Sequence, residues 1–385
     1  MQMTSLSLHF CAVGVANCTS SRLDILLVFA RGFPAVGKMM CKSVKALFLL
    51  ILLCGSLATA CAVRAARVVA DRTAKLPHAV LVVHGGAGVE KGLTVRQQEE
   101  YRQVLSAALL RGYAVFKRSG SSLAMVEAAV RYLEDSPLFN AGRGAVLTRD
   151  GKIELDAAIM DGRGRAAGAV AGVTVVKNPI SLAMAVMRRS PHVMLIGEGA
   201  NQFGREQGVE IVDQKYFWTQ TRQNELDKML EQEKLNKQSN RSGFAAHKYG
   251  TVGAVALDGS GNLAAGTSTG GLTGKRWGRV GDSAIIGSGT YADNKSCAVS
   301  CTGQGEWFIR FTAAADVAAR YRWQKVPLRD AADTVIHKVL GSGHGEGGLI
   351  ALDRHGVFAM PFNTAGMFRG YICADGKPHT FVYDK

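Results

Sequence analysis

The sequence predicts an α/β chain in which two sheets pack face to face between helical layers, and three observations lead there. Short apolar, partly β-branched runs of strand length cluster both before and after residue 250. Amphipathic helical segments come in pairs, one pair upstream of that point and one downstream. No internal repeat divides the body, so strands from both halves must share one core, and sheet on sheet with helices outside is the arrangement that buries them all.

The front of the chain is of another character. Lys42 and Lys45 precede the apolar run Ala46 to Cys54, and the small residues Ala58-Thr59-Ala60 follow. That order of positive, apolar and small segments is expected of a secretory signal within a leader over residues 1–77, and the apolar core, about 46–60, is too short for a comfortable membrane span. Export follows as the expected localisation. Cys61, directly after Ala60, leaves a second reading, lipidation after cleavage, although Leu57 lies one place too far upstream for the usual pattern. Membrane attachment is expected only in that case.

The formal net charge of +15 invites a nucleic-acid partner, but nine Lys/Arg against two Asp put +7 of it in the leader, and no aromatic-interleaved basic stripe occurs in the remainder. Five of the eight cysteines also lie at or before Cys61, leaving Cys297, Cys301 and Cys373 in the body. If Cys297 and Cys301 share a strand they stand about 13 Å apart, too far for a disulfide. No Cys/His group has zinc spacing, so no catalytic cofactor is expected.

The folded body is expected to open with the strand Ala79 to Val83, which runs into His84-Gly85-Gly86-Ala87-Gly88. Those glycines fit either a nest of N–H groups around an anion or a tight turn. Thr94-Val95-Arg96-Gln97 has the form of a capping box and starts a helix to about Lys117, with Tyr101, Leu105, Ala108 and Leu109 on one face. A second helix spans Ser122 to Glu134, Gly168 to Val176 reads as a buried strand, and Pro179 to Arg189 as a helix halted by Pro191. A strand near His192 to Ile196 and a polar stretch follow. Across 219–250 the composition turns polar, with few anchors and no Val or Ile before Tyr249, so a mobile tail is expected there. Strands are then predicted at Thr251, Asn262 to Thr267 and Ser283 to Ser288, and helices near Trp307 to Trp323 and Leu328 to Leu340. Gly348 to Asp353 and Val357 to Pro361 close the series around a turn at Arg354-His355-Gly356, all within one domain.

Tyr249-Gly250-Thr251-Val252-Gly253-Ala254-Val255 is, read plainly, a buried strand opened by an ordinary Gly-Thr. The functional alternative begins from Thr251. A threonine hydroxyl is a poor nucleophile unless a base takes its proton, and its own α-amine can do so once the chain is cut before it. A free α-amine titrates near 7.7 to 8.0, so a useful fraction is neutral at working pH. Gly250 suits such a cut because it places no Cβ beside the scissile carbonyl.

Threonine-glycine turns recur downstream. Thr267-Ser268-Thr269-Gly270-Gly271 ends the strand expected beside that of Thr251, and Cys301-Thr302-Gly303-Gln304-Gly305 comes later, with Arg279-Val280-Gly281-Asp282 between. Alone, each is a turn or an exposed pair; Arg279 and Asp282 would be a surface ion pair worth well under about 1 kcal/mol. Together with Phe139-Asn140-Ala141-Gly142-Arg143-Gly144, Glu154-Leu155-Asp156-Ala157 and Pro361-Phe362-Asn363-Thr364, they resemble the isoaspartyl peptidase/plant-type L-asparaginase family of N-terminal nucleophile hydrolases, from His84 to near the C-terminus.

The resemblance implies a four-layer αββα sandwich, made as a precursor that cuts itself between Gly250 and Thr251 into an α-subunit, 78–250, and a β-subunit, 251–385. It implies Thr251 as nucleophile, Thr269 as its hydrogen-bond partner, Thr302 and the Gly303 N–H as oxyanion hole, and Asn140 as a supporting contact. Arg279 and Asp282 become a clamp for the α-carboxylate and α-ammonium of an aspartyl unit, with Gly303 and Gly305 lining it. Asparagine and β-aspartyl dipeptides are the implied substrates, and a dimer of cleaved heterodimers the implied assembly. The turn holding Leu133, Glu134, Ser136, Phe139, Ala141 and Arg143 looks like the family's sodium loop, in which main-chain carbonyls bind a structural ion; a plain helix end is the other reading. Alternatives are a glycosylasparaginase, a non-catalytic exported lipoprotein of the same fold, and a phosphate-binding module on His84-Gly85-Gly86, which lacks a lysine or acidic partner at suitable spacing.

Overall fold

The computed structural model describes residues 79–89, 91–238 and 250–383. The leader, with its expected signal and Cys61, lies outside the described residues.

β1 (Val80–Ala87) is the pivot of the larger sheet, and its alternation shows how the layers form: Leu81 and Val83 enter the core under the helices, while Val80 and Val82 enter the core between the sheets. The capping box at Thr94 is present and starts α1 (Val95–Ser119); α2 (Ser122–Glu134) packs beside it, with the N-cap hydroxyl of Ser121 accepting from the Ala124 N–H. β2 (Leu155–Asp161) and β3 (Ala167–Val173) form a hairpin, covered by α3 (Pro179–Arg189), and β4 (Met194–Ile196) ends the sheet. α4 (Gly197–Glu206) and the single turn α5 (Gln214–Phe217) fill the polar stretch for which no element was expected.

The segment expected to be a mobile tail begins instead as α6 (Gln220–Gln238), and residues 239–249 lie outside the described residues. Leu226 and Met229 are buried, Arg222 Nε donates to the Gly144 carbonyl at 2.6 Å, and Glu233 pairs with Arg149 and, at 3.1 Å, with Arg276. These four anchors recur at helical spacing, so one polar-looking helix has one committed face.

β5 (Val252–Leu257) and β6 (Leu263–Thr269) follow as a hairpin, then β7 (Thr290–Ala292) and β8 (Cys297–Gly303). The expected strand at Ser283 to Ser288 is absent; Asp282–Ala284 is a buried 3₁₀ turn instead. The expected helix from Trp307 to Trp323 is two, α7 (Gly305–Arg310) and α8 (Ala313–Trp323), broken where Thr312 takes φ 46°. α9 (Leu328–Asp333) runs on through a π-turn to Leu340. β9 (Gly347–Asp353), the short β10 (Phe358–Ala359), and β11 (Met367–Ile372) and β12 (Pro378–Phe381), which the sequence reading missed, complete the chain.

The larger sheet runs β12-β11-β1-β5-β6-β2-β3-β4 and the smaller β10-β9-β8-β7. One apolar core lies between the larger sheet and α1 to α3, one between the sheets, and one between the smaller sheet and α7 to α9. The molecule is therefore a four-layer αββα sandwich. In β8, Cys297, Val299 and Cys301 face the helices, so Ser300 and Thr302 face the other sheet; Cys297 and Cys301 share the strand, buried and unpaired. The same alternation sets Thr251, Thr267 and Thr269 between the sheets, because Val252 and Ala254 go to the helical side.

Candidate active site

Strand register brings two threonines together. β5 and β6 are antiparallel with Val252 opposite Ser268, so one step further Thr251 stands opposite Thr269. The Thr251 hydroxyl donates to Thr269 Oγ1 at 3.1 Å, and Thr269 Oγ1 also accepts the Gly271 N–H at 3.0 Å. On the other side of Thr251, the Gly250 carbonyl accepts the main-chain N–H of Asn140 at 3.1 Å. Asn140 thus reaches the peptide through its backbone, because its side chain is spent elsewhere: Nδ2 donates to the Gly271 carbonyl at 2.8 Å and Oδ1 accepts the Val146 N–H at 2.9 Å.

Gly85 and Gly86, at the end of β1, serve this contact, and the tight-turn reading of them does not hold. Their backbone is a bulge against β11 between His84 and Gly86, not a turn. The next two N–H groups are used inside the protein, Ala87 donating to Thr302 Oγ1 at 3.2 Å and Gly88 to Thr364 Oγ1 at 3.1 Å. Gly86 has φ 112°, and a Cβ there would lie 2.5 Å from the Gly250 Cα; only glycine lets the two backbones approach.

His84 is a site residue that sequence reasoning did not single out. Its Nδ1 lies 3.0 Å from the Thr251 carbonyl oxygen and its Nε2 2.9 Å from Ser300 Oγ. A carbonyl only accepts, so Nδ1 carries the proton and Nε2 accepts from Ser300. Burial lowers its pKa to about 3, and the ring is neutral at working pH. Ser300 Oγ stands 2.6 Å from Thr267 Oγ1, to which Thr290 donates at 2.7 Å, so a line of neutral hydroxyls ends on the Thr251 carbonyl. The signal was available: His84 continues the inward face of Val80 and Val82, where a polar side chain needs a partner.

Arg279 and Asp282 gather at the same end of the sandwich, though not as the surface pair considered above. Arg279 Nε and Nη2 donate to both oxygens of Glu306 at 2.9 and 3.0 Å. Asp282 is 3% exposed, and its Oδ2 has no hydrogen-bond partner. Burial raises its pKa to about 7; Arg279 pulls it down, while Glu306 and Asp156 push it up. A Cβ on Gly305 would lie 2.7 Å from Arg279 Nη2 and 3.0 Å from Asp282 Oδ1, so only the bare glycine lets both charged groups pack this close to the start of α7. Gly303 has φ 150°, and a Cβ there would meet the Glu346 carbonyl at 2.4 Å. A guanidinium and a carboxyl side by side are groups of the kind that can pair with the two opposite charges of a small zwitterion.

In the turn after α2, Gly142 and Gly144 have φ 50° and 102°, and a Cβ at either would strike main-chain oxygens of Glu134, Pro137 or Phe139 at 2.4 to 2.9 Å. The carbonyls of Glu134, Pro137 and Phe139 therefore face the inside of the turn. Of the expected loop residues, the Glu134 carbonyl already accepts the Arg143 N–H at 2.7 Å and the Leu133 carbonyl the Ser136 N–H at 3.2 Å. The Glu134 carboxyl points away, accepting the Ile180 N–H at 3.0 Å at the start of α3, and burial raises its pKa to about 8.

Comparison with known proteins gives this arrangement its context. The family model described as asparaginase matches residues 77–382. An isoaspartyl peptidase of Escherichia coli is 47% identical over 310 residues, covering 79% of this chain and 96% of its own. An isoaspartyl peptidase/L-asparaginase of Xenopus laevis is 42% identical over 304 residues, and one of Bos taurus 40% over 303, each covering 79% of this chain, with 95% and 96% of their own lengths.

Proposed function

The chain belongs to the asparaginase family, and on that premise we propose that it is a self-cleaving threonine hydrolase releasing aspartate from β-aspartyl dipeptides and L-asparagine. The observation that carries this reading is that Thr251 is engaged on both sides of its peptide bond: its hydroxyl is held by Thr269, and the oxygen of the bond before it by the Asn140 N–H.

In the first event, Thr251 Oγ attacks the Gly250 carbonyl carbon, and the oxygen that gains charge already has a donor. Collapse passes the acyl group from nitrogen to oxygen and frees the amine; water then hydrolyses the ester, leaving a Gly250 carboxylate and Thr251 as a new N-terminus. In the second event the freed amine takes the hydroxyl proton as Oγ attacks the substrate β-carbonyl. Thr302 and the Gly303 N–H stabilise the oxyanion, ammonia or an amino acid leaves with that proton, and water releases aspartate. Arg279 and Asp282 hold the α-carboxylate and α-ammonium, reading one end of the substrate and tolerating different leaving groups.

The inward carbonyls of the turn after α2 would hold a sodium ion that braces Asn140, with no part in the chemistry. The leader would direct export, and assembly as a dimer of cleaved heterodimers is proposed on family grounds. Purified protein is expected to run as two fragments, the smaller beginning at Thr251 by N-terminal sequencing, while Thr251→Ala stays whole and inactive. A fully active, uncut wild-type chain overturns the mechanism. Faster hydrolysis of a glycan-linked asparagine than of a β-aspartyl dipeptide would move the substrate class to glycosylasparaginase.

A further inference from the structure

We infer that α6, which lies on the α-subunit side of the proposed cut, braces the substrate clamp on the other side, and that Glu233 is the positioning residue through which it sets Arg279. The inference rests on the function proposed above and adds to it a residue that governs binding without touching substrate.

Arg279 closes a turn that holds itself poorly. The Arg276 carbonyl accepts the Arg279 N–H at 3.0 Å, and both residues between them have positive φ, 57° at Trp277 and 67° at Gly278. That is the pattern of a type I′ turn, which favours asparagine and glycine at its centre and is uncommon for a bulky side chain. A backbone of this kind persists only where its surroundings fix it.

α6 supplies the fixing. Both oxygens of Glu233 accept from Arg276 Nη2 at 3.1 Å, so the helix grips the first residue of the turn, whose carbonyl holds the last. The same carboxylate pairs with Arg149, and the Arg149 N–H donates to the Lys275 carbonyl at 3.0 Å, which ties the residue before the turn to the same point. One helical turn earlier on α6, Met229 packs at Gly274, which has φ 71° and where a Cβ would strike the thioether. Residues 274 to 276 thus all bear on one face of α6, directly or through Arg149. The Glu233 side chain is only 18% exposed, so water and salt screen its pairs less than those of an open surface. Self-cleavage before Thr251 would sever α6 from the chain that carries Arg279, and these contacts would then be what joins them.

The test measures kcat and KM for asparagine and β-Asp-Gly, and inhibition by free L-aspartate, in processed wild type, Glu233→Gln, Arg276→Gln and the double variant. Aspartate carries the two charges that the clamp would read and no bond to be cut, so its inhibition constant reports binding alone. In Glu233→Gln, that constant and the KM of both substrates should rise by the same factor, about three- to tenfold, the scale of losing one partly buried charged contact, while kcat and the rate of self-cleavage stay within about twofold. Arg276→Gln should do the same, and the double variant should be no worse than the worse single one, because both changes remove one link. Unchanged KM and inhibition constants in Glu233→Gln, or factors that multiply in the double variant, overturn the brace and leave the aspartate-releasing function standing. A fall in kcat or in self-cleavage at unchanged KM would place Glu233 with the Thr251 hairpin and overturn the brace equally. Processed wild type that releases no aspartate from either compound overturns the function itself, and the brace with it.

Discussion

The Thr251 hairpin and the proposed clamp of Arg279 and Asp282 meet at one end of the sandwich but are held by opposite means. Around Thr251 the partners are neutral: Thr269, the Asn140 N–H, and His84 with its line of hydroxyls, all fixed by strand register. Around Arg279 and Asp282 the partners are charges, supplied by a 3₁₀ turn and a helix start, and the protein fills them with its own groups. Glu306 occupies Arg279, and the pKa of Asp282 sits near 7. A geometry set by register is complete before substrate arrives, whereas a charged pocket must exchange counter-ions and protons to receive it. Damage to the hairpin should therefore appear in processing and kcat, and damage to the clamp in KM and pH dependence.

The largest effect is expected from Thr269→Val, which keeps the shape but removes the acceptor for the Thr251 hydroxyl and the Gly271 N–H. Processing rate and kcat should each fall about 10²-fold or more, the range for losing one positioned group at the reacting atoms. KM should change little. Single-turnover kinetics on processed material checks this, and an unchanged kcat with a raised KM would place Thr269 on the binding side of the comparison.

His84→Ala comes next and acts on stability before chemistry. It strips the Thr251 carbonyl of its side-chain partner, at about 1 to 3 kcal/mol for a buried orphan, while Ser300 keeps Thr267 and the Gly266 carbonyl, and urea midpoints would register the loss. The acid limb has a definite sign. The folded pKa of about 3 lies below the 6.5 of an ordinary imidazole, so the unfolded chain binds the proton first. Stability from the neutral ring is fully present above about 6.5 and is lost as pH falls toward 3, and the variant should show a shallower loss over that window.

The same contrast explains what could be read from the chain. The hairpin was legible as two neighbouring strands of alternating pattern, while the pairing of Thr251 with Thr269 came from the family resemblance and its register, Val252 opposite Ser268, from the fold. α1 and α2 were legible from a capping box and apolar spacing. The clamp region was not, because its neighbours come from far away: Glu306 lies 27 residues beyond Arg279, and Glu233 reaches Arg276 from a helix 43 residues upstream. That helix was read as a tail since its anchors are Arg222, Leu226, Met229 and Glu233, two of them charged, and a search for apolar residues alone passes over such a face. β11 and β12 were missed for a related reason: Arg369 and His379 interrupt their runs, and pairing of β11 with β1 and of β12 with β11, not local pattern, makes them strands.

The smallest expected effect is the one that best separates the two regions. Asp282 must be charged to hold an ammonium, and its pKa lies at about 7, so kcat/KM should rise with pH through that value. Asp282→Asn should remove this limb together with most of the substrate affinity. Glu306→Gln should shift it and not abolish it. Glu306 pushes the Asp282 pKa up, so its neutralisation moves the limb to lower pH; it also releases Arg279 for the substrate carboxylate, so KM should fall. Each change should be only about two- to fivefold, because the Glu306 side chain is 56% exposed and water screens its pair with Arg279. A several-fold rise in KM would mean that Glu306 aims the guanidinium instead of competing for it, and the clamp would then be as pre-set as the hairpin.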